Sequence, residues 1–214
     1  MSTVAPLRAS PLSQYWPIGD ARTAWQGGEL PEGSGDFTAA AAGDGLNVAD
    51  LSAAARFRFA GSTPELGLID AGRVVEPVPG WLVGRLPGND LIALPSPLKT
   101  EPAPGFATGA ERQDPGFGHG YWIYAVGQAT AQMFAHGCDI DLRPGSFGNR
   151  QLRQTTLFRT AVLIVRDDLG EVPGYHILGC CSYAHHIAGM VLDLQQAAGG
   201  QVMGLADLRR AARY

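Results

Sequence analysis

The residue types best suited to chemistry are concentrated in one segment near the carboxyl end of the chain. Two of the three cysteines lie side by side there, and three of the five histidines are close to them in sequence: Cys180, Cys181, His176, His185 and His186. A thiolate is a strong nucleophile, and a neighbouring imidazole can serve as its base. The segment therefore contains one candidate catalytic set, with Cys181 as the nucleophile and His185 or His186 as the base.

Cys181 stands directly before the residue that is expected to start a helix. Ser182 can cap that helix through its hydroxyl, and a helix N-terminus lowers the pKa of a nearby thiol. Packing accounts for the same pair of cysteines, because a free buried cysteine behaves as a small hydrophobic residue. We therefore expect packing at Cys180 and Cys181, and a Cys181-dependent hydrolase or transferase is the alternative.

The same cluster does not predict a zinc site. Neighbouring residues on a helix point about 100° apart, and the usual spacing of paired zinc ligands is absent. The glycine-rich stretch at 116–120 follows a proline-rich loop and lacks the spacing of a dinucleotide-binding motif. The chain has no phosphate-binding loop with its lysine. We therefore predict neither a metal ion nor a cofactor.

The elements that must hold these residues form the most regular part of the chain, residues 155–196. Residues 161–165 are a continuous apolar run, which is typical of a strand covered on both faces. Turn residues follow, and residues 175–181 are predicted to return as an antiparallel strand. A helix then begins after Ser182 and ends at residues 199–200. Its predicted apolar stripe consists of Tyr183, Ile187, Met190, Val191 and Leu194.

The sequence outside this segment predicts short helices and strands. Residues 47–57 have a cap and an alanine-rich composition typical of a short helix. Residues 121–136 are predicted as a helix, with a strand at 121–126 as the competing interpretation, and a last short helix is predicted at 203–214. Apolar runs separated by turn residues predict an antiparallel meander at 65–69, 73–78, 81–86 and 91–94.

Composition places these elements in a loop-rich globular protein. Glycine and proline make up about a fifth of the 214 residues, which is above average and below the level typical of disorder. We predict an α+β fold, with an antiparallel sheet and a few packed helices. Residues 1–36 are predicted to form an extended N-terminal arm, and residues 37–214 a single domain with a long Gly/Pro-rich loop at 94–120.

Two groups of residues are candidates for contacts with other subunits. The arm carries aromatic side chains whose exposure would be costly, among them Tyr15, Trp16 and Trp25. Residues 143–166 contain five arginines and no carboxylate, and Arg150 and Arg153 from this run are assigned to an interface. The net charge of −4 and the lack of a basic stripe with stacking aromatics argue against nucleic acid as the partner.

Low charge points to surface that is covered by other subunits. Charged residues make up only 17% of the chain, and no specific active-site motif appears. We predict a structural or interaction subunit of a larger oligomeric assembly, in contact with itself or other subunits, such as a virion or phage capsid or tail component. No apolar run reaches membrane-spanning length, and the N-terminus does not resemble a signal peptide. We expect a protein made in the cytoplasm, with reduced thiols, and found in a virion if the capsid interpretation holds.

Overall fold

The computed structural model describes residues 9–17, 21–26, 28–33, 43–60, 69–88, 90–97 and 119–211. These residues form mostly antiparallel sheets with a few helices, which confirms the predicted α+β class. The strands are β1 (Arg22–Trp25), β2 (Gly28–Pro31), β3 (Asn47–Asp50), β4 (Phe57–Ala60), β5 (Val74–Val78), β6 (Trp81–Arg85), β7 (Asp90–Pro95), β8 (Tyr121–Val126), β9 (Leu152–Leu157), β10 (Thr160–Arg166), β11 (Gly174–Gly179) and β12 (Val202–Met203). The helices are α1 (Thr130–Phe134), α2 (Ala184–Ala197) and α3 (Leu205–Ala211).

The strands form one large sheet, one smaller sheet and a hairpin. The large sheet has six strands in the order β12-β3-β8-β11-β10-β9, and all its pairs are antiparallel except β12 with β3. The smaller sheet has the order β4-β7-β6-β5 and is antiparallel throughout, so the last three strands of the predicted meander are confirmed. Strands β1 and β2 pair with each other. Among the described residues, no helix is long and apolar enough to cross a membrane.

The six-stranded sheet is the middle layer of the molecule. Along β8 the side chains alternate between its two faces, as a strand requires. Tyr121 and Ile123 pack with α2, while Trp122 and Tyr124 pack towards the four-stranded sheet. Strand β10 alternates in the same way and lies between β9 and β11. The prediction that residues 161–165 form a strand is therefore confirmed, and residues 162–165 are covered on both faces while Ala161 is exposed.

Two helices predicted from the sequence are strands instead. Residues 47–57 contain β3, a turn and the first residue of β4, and every residue of β3 is buried between β8 and β12. Residues 121–126 form β8, which was the competing interpretation, and only Thr130–Phe134 of the predicted helix is helical. Burial between paired strands overrides the local preference for helix at both places.

Helix α2 differs from the prediction at its start and along its buried stripe. A 3-10 turn at Cys181–Tyr183 precedes it, and neither that turn nor α2 has a side-chain cap, so Ser182 does not cap the helix. Tyr183 is 49% exposed and Met190 is 36% exposed, although both were placed in the buried stripe. The residues of α2 that are buried are Ala184, Ile187, Ala188 and Val191.

The N-terminal segment contributes to the core. It contains the β1–β2 hairpin, and the side chains of Trp16 and Trp25 are buried in the two clusters on opposite faces of the six-stranded sheet. These two residues, which were assigned to an interface, are thus covered by their own chain. Residues 61–68 and 98–118, which include most of the first predicted meander strand and of the long loop, lie outside the described residues.

Candidate functional site

The three cysteines lie in different environments. Cys138 is half-buried, and burial raises the pKa of its thiol. Cys180 and Cys181 follow directly after β11, and both are exposed. The expectation that this adjacent pair packs as small hydrophobic residues is therefore wrong, because both side chains lie at the surface.

The structure places the two histidines of the candidate catalytic set against other elements. The ring of His185 stacks on Tyr15, with 4.4 Å between the ring centroids and an angle of 14° between the planes. His186 places its Nε2 atom 2.9 Å from the carbonyl oxygen of Phe158, in the turn between β9 and β10. Neither of these contacts involves the thiol of Cys181. Catalysis by Cys181 stays a prediction, and within the described part of the chain no imidazole is hydrogen-bonded to its thiol.

Cys180, rather than Cys181, is the residue whose thiolate the local structure stabilises. The backbone N–H of Ser182 and then the Ser182 hydroxyl lower the pKa of the Cys180 thiol. The sulfur lies 3.6 Å from Ser182 Oγ. Cys180 is extended and the next residue begins the 3-10 turn, so the chain brings Ser182 back towards the sulfur. The sequence analysis expected this effect at the following residue.

Cys180 stands beside a cleft of about 500 Å³. The cleft lies where β11 ends and β8 and β10 begin, and apolar side chains such as Leu163 and Leu178 line it. Arg58 also lines the cleft, but its guanidinium group is 2.8 Å from the carboxylate of Asp90. A cleft of this size with a mainly apolar wall is typical of sites for small molecules.

Tyr121 borders the same cleft, and its side chain packs on the α2 face of the sheet. The residue is fully buried, and its Oη atom has no hydrogen-bond partner of normal geometry among the described residues. The neighbouring hydroxyl of Thr160 donates its hydrogen to the carbonyl oxygen of Leu157, at 2.8 Å. Burial raises the pKa of Tyr121 to about 12. The nearby Thr160 hydroxyl lowers that pKa in part, and burial is the larger effect.

The opposite end of the same strands holds a buried polar network, which we define as Trp122, His176, Asp167 and Arg150. Trp122 Nε1 donates to Nδ1 of the fully buried His176, at 3.1 Å. In a neutral imidazole this leaves the hydrogen on Nε2, which lies 3.6 Å from Asp167 Oδ2. The other oxygen of Asp167 lies 3.3 Å from the guanidinium group of Arg150. The network links an aromatic donor in the core to a charged pair nearer the surface.

Two of the residues assigned to an interface remain accessible. Arg153 is exposed and donates to the carbonyl oxygen of Leu152, at 2.9 Å, and Tyr15 is 38% exposed beside His185. Arg150 is engaged within the chain, because it also lies 3.3 Å from Glu76. An interface role for these residues stays a prediction.

The sequence analysis missed Tyr121 and named His176 only as a residue close to the cysteines, although one signal pointed to both ends of this region. Strand β11 begins and ends with glycine, and glycine within a strand often marks a place where another group approaches closely. A Cβ atom at Gly179 would overlap the ring of Tyr121, and one at Gly174 would overlap Tyr124. Nowhere in the described ranges do three or more His, Cys, Asp or Glu side chains come together in a group that could hold a metal ion.

Comparisons with known proteins identify the fold. No protein-family model matches the chain, and no curated protein matches it in sequence. A chain of the heterotetrameric sarcosine oxidase from Corynebacterium sp. U-96, solved in complex with pyrrole 2-carboxylate, superposes with a TM-score of 0.59 and 19% identity, over 91% of this chain and 98% of that chain. Glycine cleavage system aminomethyltransferase T from Bartonella henselae superposes with a TM-score of 0.63 and 14% identity, over 95% of this chain and 61% of that chain.

These likenesses correct the predicted function. At identities this low they show the fold alone, and it is a fold found in chains of two metabolic enzymes. The assignment to a virion or phage capsid or tail component is therefore wrong. It rested on low charge, an aromatic-bearing arm and a long loop, and none of these properties is particular to viral proteins.

Proposed function

We propose that this chain is a subunit of a hetero-oligomeric enzyme that processes a small amino acid or its N-methyl derivative. The observation that carries the proposal is the extent of the structural match. The superposition on the chain of heterotetrameric sarcosine oxidase accounts for nearly all of both chains, at 91% and 98%. The superposition on the aminomethyltransferase leaves more than a third of that protein without a counterpart, since it covers 61% of its chain.

The distribution of reactive and apolar side chains supports a role that depends on partner subunits. Among the described residues, no imidazole is hydrogen-bonded to either exposed thiol, and no group of potential metal ligands forms. The 3-10 turn before α2 exposes Tyr183, and α2 itself exposes Met190, although both side chains are large and hydrophobic. Such side chains supply apolar area that a partner subunit can bury.

The proposal is tested by purifying the tagged chain from its natural source under native conditions. We expect partner chains in fixed stoichiometry and a complex that oxidises sarcosine, measured by reduction of oxygen or of a dye. The same chain produced alone should show no such activity. A chain recovered without partners, or a stoichiometric complex that oxidises neither sarcosine nor other small N-methyl amino acids, would contradict the proposal.

Two variants then test whether α2 contributes to the contact. Tyr183→Glu combined with Met190→Glu should reduce the recovery of partner chains, because it places charge on an apolar surface. Val75→Glu is the matched control, since Val75 is also exposed, at 38%, but lies on β5. Equal recovery with both variants would remove α2 from the proposed interface and leave the subunit assignment to be decided by the complex itself.

A further inference from the structure

A cleft of about 330 Å³ lies between the β1–β2 hairpin and α3, away from the cleft at the end of β11. Its hairpin side is lined by Thr23 and Glu32, and its helix side by Leu205, Ala206, Arg209 and Arg210. This volume is at the lower end of the range of about 300–1,000 Å³ that is typical of small-molecule sites. Space for a small molecule is therefore present beside two arginines.

Backbone contacts fix the two walls of this cleft. The N–H of Ala206, in the first turn of α3, donates to the carbonyl oxygen of Glu32, at 2.9 Å. A Cβ atom at Gly204 would overlap the backbone of Glu32 and Gly33, so glycine there allows the helix to start against the hairpin. The buried carboxylate of Asp207 accepts a hydrogen bond from the N–H of Gly204, at 2.9 Å. The folded chain therefore forms the cleft by itself.

Arg209 is a cleft residue with a buried N–H group that the described residues leave unpaired. The residue is half-buried, and its Nε atom is buried without a hydrogen-bond partner. Burial lowers the pKa of its guanidinium group, and no carboxylate in the described part of the chain offsets that effect. Arginine nevertheless stays charged at neutral pH. Because a partly buried charge without a counter-charge is costly, this arrangement indicates that an anion completes the site.

The position of Arg209 in the last turn of α3 does not account for its burial. Cations near the C-terminus of a helix interact favourably with the helix dipole, and Arg209 and Arg210 both lie there. An exposed arginine would gain the same attraction. Arg209 instead follows Leu205 and Ala206 by four and three positions, so it shares the helix face that lines the cleft. Its side chain therefore lies on the hairpin side of α3.

We propose that this cleft binds a small monocarboxylate, whose carboxylate group is held by the guanidinium group of Arg209. The planar fork of a guanidinium group matches a carboxylate and forms charge-assisted hydrogen bonds with it. Arg210 adds a second positive charge, whereas Glu32 adds a negative charge that disfavours an anion with two charges, such as phosphate. Leu205 and Ala206 offer apolar surface for a short hydrocarbon tail. This inference does not depend on the subunit assignment.

The test uses propionate as the probe and propionamide as its neutral counterpart of similar shape, at constant ionic strength. The intact chain, carrying isotope-labelled arginine, is titrated while the Nε–H signal of Arg209 is followed by NMR. The loss of this signal in Arg209→Lys assigns it. We expect a saturable shift with propionate and no shift with propionamide. The same response to both probes, no response to propionate, or saturation by inorganic phosphate alone would overturn the proposal.

Three variants test which charges hold the probe, with calorimetry as the measurement. Arg209→Gln removes the positive charge and should weaken the binding of propionate at least about tenfold. Glu32→Gln removes a like charge and should tighten it about twofold to threefold. Arg153→Gln is the matched control, because Arg153 is an exposed arginine on β9 outside this cleft. Equal weakening by Arg209→Gln and Arg153→Gln would overturn the proposal, since it would reduce the effect to net charge.

The stability of the ligand-free chain separates a binding role of Arg209 from a structural one. Arg209→Met keeps the aliphatic part of the side chain and removes the charge. If the guanidinium group binds a ligand rather than another part of the chain, this variant should unfold at the same temperature as the original chain or a higher one. Propionate should raise the unfolding temperature of the original chain and not that of the variant. A variant that is strongly destabilised or fails to fold would show that the chain itself pairs Arg209, and the proposal would fail.

Discussion

Gly174 and Gly179 stand at the two ends of β11, and each is covered by a tyrosine of β8. Tyr124 lies over Gly174 and Tyr121 lies over Gly179, so close that a Cβ atom at either glycine would overlap the tyrosine. The hydroxyl groups of the two tyrosines differ in their hydrogen bonding. Tyr124 donates to the carbonyl oxygen of Asp167, at 2.9 Å, and Tyr121 has no partner of normal geometry. We refer to these places as the closed end and the open end of β11.

The difference shows that glycine–tyrosine packing alone does not satisfy a buried hydroxyl. At the closed end, the chain after β10 turns back and places Asp167 and Asp168 beside β11, where they accept hydrogen bonds from Tyr124 and from the N–H of Gly174. At the open end, the first residue of β10 brings the Thr160 hydroxyl near Tyr121, and this hydroxyl donates to the carbonyl oxygen of Leu157. The same three strands therefore end in a paired network on one side and in a cleft on the other.

The largest effect is expected at the closed end, for Asp168→Ala. Asp168 holds the buried guanidinium group of Arg166 through two bonds, at 2.7 and 2.8 Å. Without the carboxylate the Arg166 charge stays buried with incomplete pairing, so the free energy of unfolding should fall by about 3 kcal/mol. Urea denaturation followed by circular dichroism measures this loss.

Asp141→Ala is the matched control for that prediction. Asp141 and Arg143 have the same two-residue spacing and similar distances, 2.7 to 3.1 Å, but the pair is exposed to solvent. Solvent screens an exposed pair, so this variant should leave the denaturation midpoint nearly unchanged. A comparable loss in the two variants would show that burial is not what makes the closed end stable.

The next largest difference between the two ends is expected when Gly174 or Gly179 is changed to alanine. At Gly174 the new Cβ would meet the backbone oxygen of Asp167 as well as Tyr124, and a backbone atom cannot move away cheaply. At Gly179 the nearest atoms all belong to the Tyr121 side chain, which borders the cleft. Gly174→Ala should therefore cost about 2–3 kcal/mol of the unfolding free energy, and Gly179→Ala clearly less. Equal losses would mean that the Tyr121 ring is held as firmly as the backbone.

The two tyrosines themselves offer a smaller and more specific comparison. Tyr124→Phe leaves the buried carbonyl oxygen of Asp167 without its hydroxyl donor, and we expect a loss of about 1–2 kcal/mol. Tyr121→Phe removes a hydroxyl that has no partner, so the stability of the free chain should stay the same or rise slightly. Thermal unfolding of both variants beside the original chain measures the difference. A loss at Tyr121 as large as that at Tyr124 would reveal a bond that satisfies the Tyr121 hydroxyl.

Sequence patterns predicted the β10–β11 hairpin better than they predicted the cleft at its end. The apolar run at 161–165 and the turn residues after it were enough to identify β10 and β11 and their antiparallel pairing. Their signals are local, since a strand covered on both faces must be apolar at nearly every position. Helix α2 was also found, but the exposed residues Tyr183, directly before it, and Met190, within it, match the helical period as well as the buried ones do.

Strand β8 was only the competing interpretation of residues 121–126, and its tyrosines were not singled out, for a physical reason. Residues 121–136 fit a helical stripe, and only pairing with β3 and β11, which are distant in sequence, makes the first six residues extended. The position of the Tyr121 hydroxyl depends on that pairing, so sequence patterns alone do not reveal it. Likewise, the choice between Cys180 and Cys181 depends on a 3-10 turn of three residues, which sequence patterns do not distinguish from the first turn of α2.

The smallest expected difference between the original chain and Tyr121→Phe is in how their free energies of unfolding respond to alkaline pH. Burial raises the pKa of Tyr121 to about 12, above the value of about 10 for an unfolded tyrosine. A pKa raised in the folded state means that the stabilisation is complete below pH 10 and is lost as the pH rises towards 12. The original chain should therefore lose about 1 kcal/mol more than Tyr121→Phe between pH 9 and pH 11, measured by urea denaturation at each pH. Tyr175, whose pKa burial also raises to about 12, is present in both proteins and cancels in the difference. Parallel curves for the two proteins would show that the Tyr121 hydroxyl ionises as freely as in the unfolded chain. Water would then reach this hydroxyl in the folded protein.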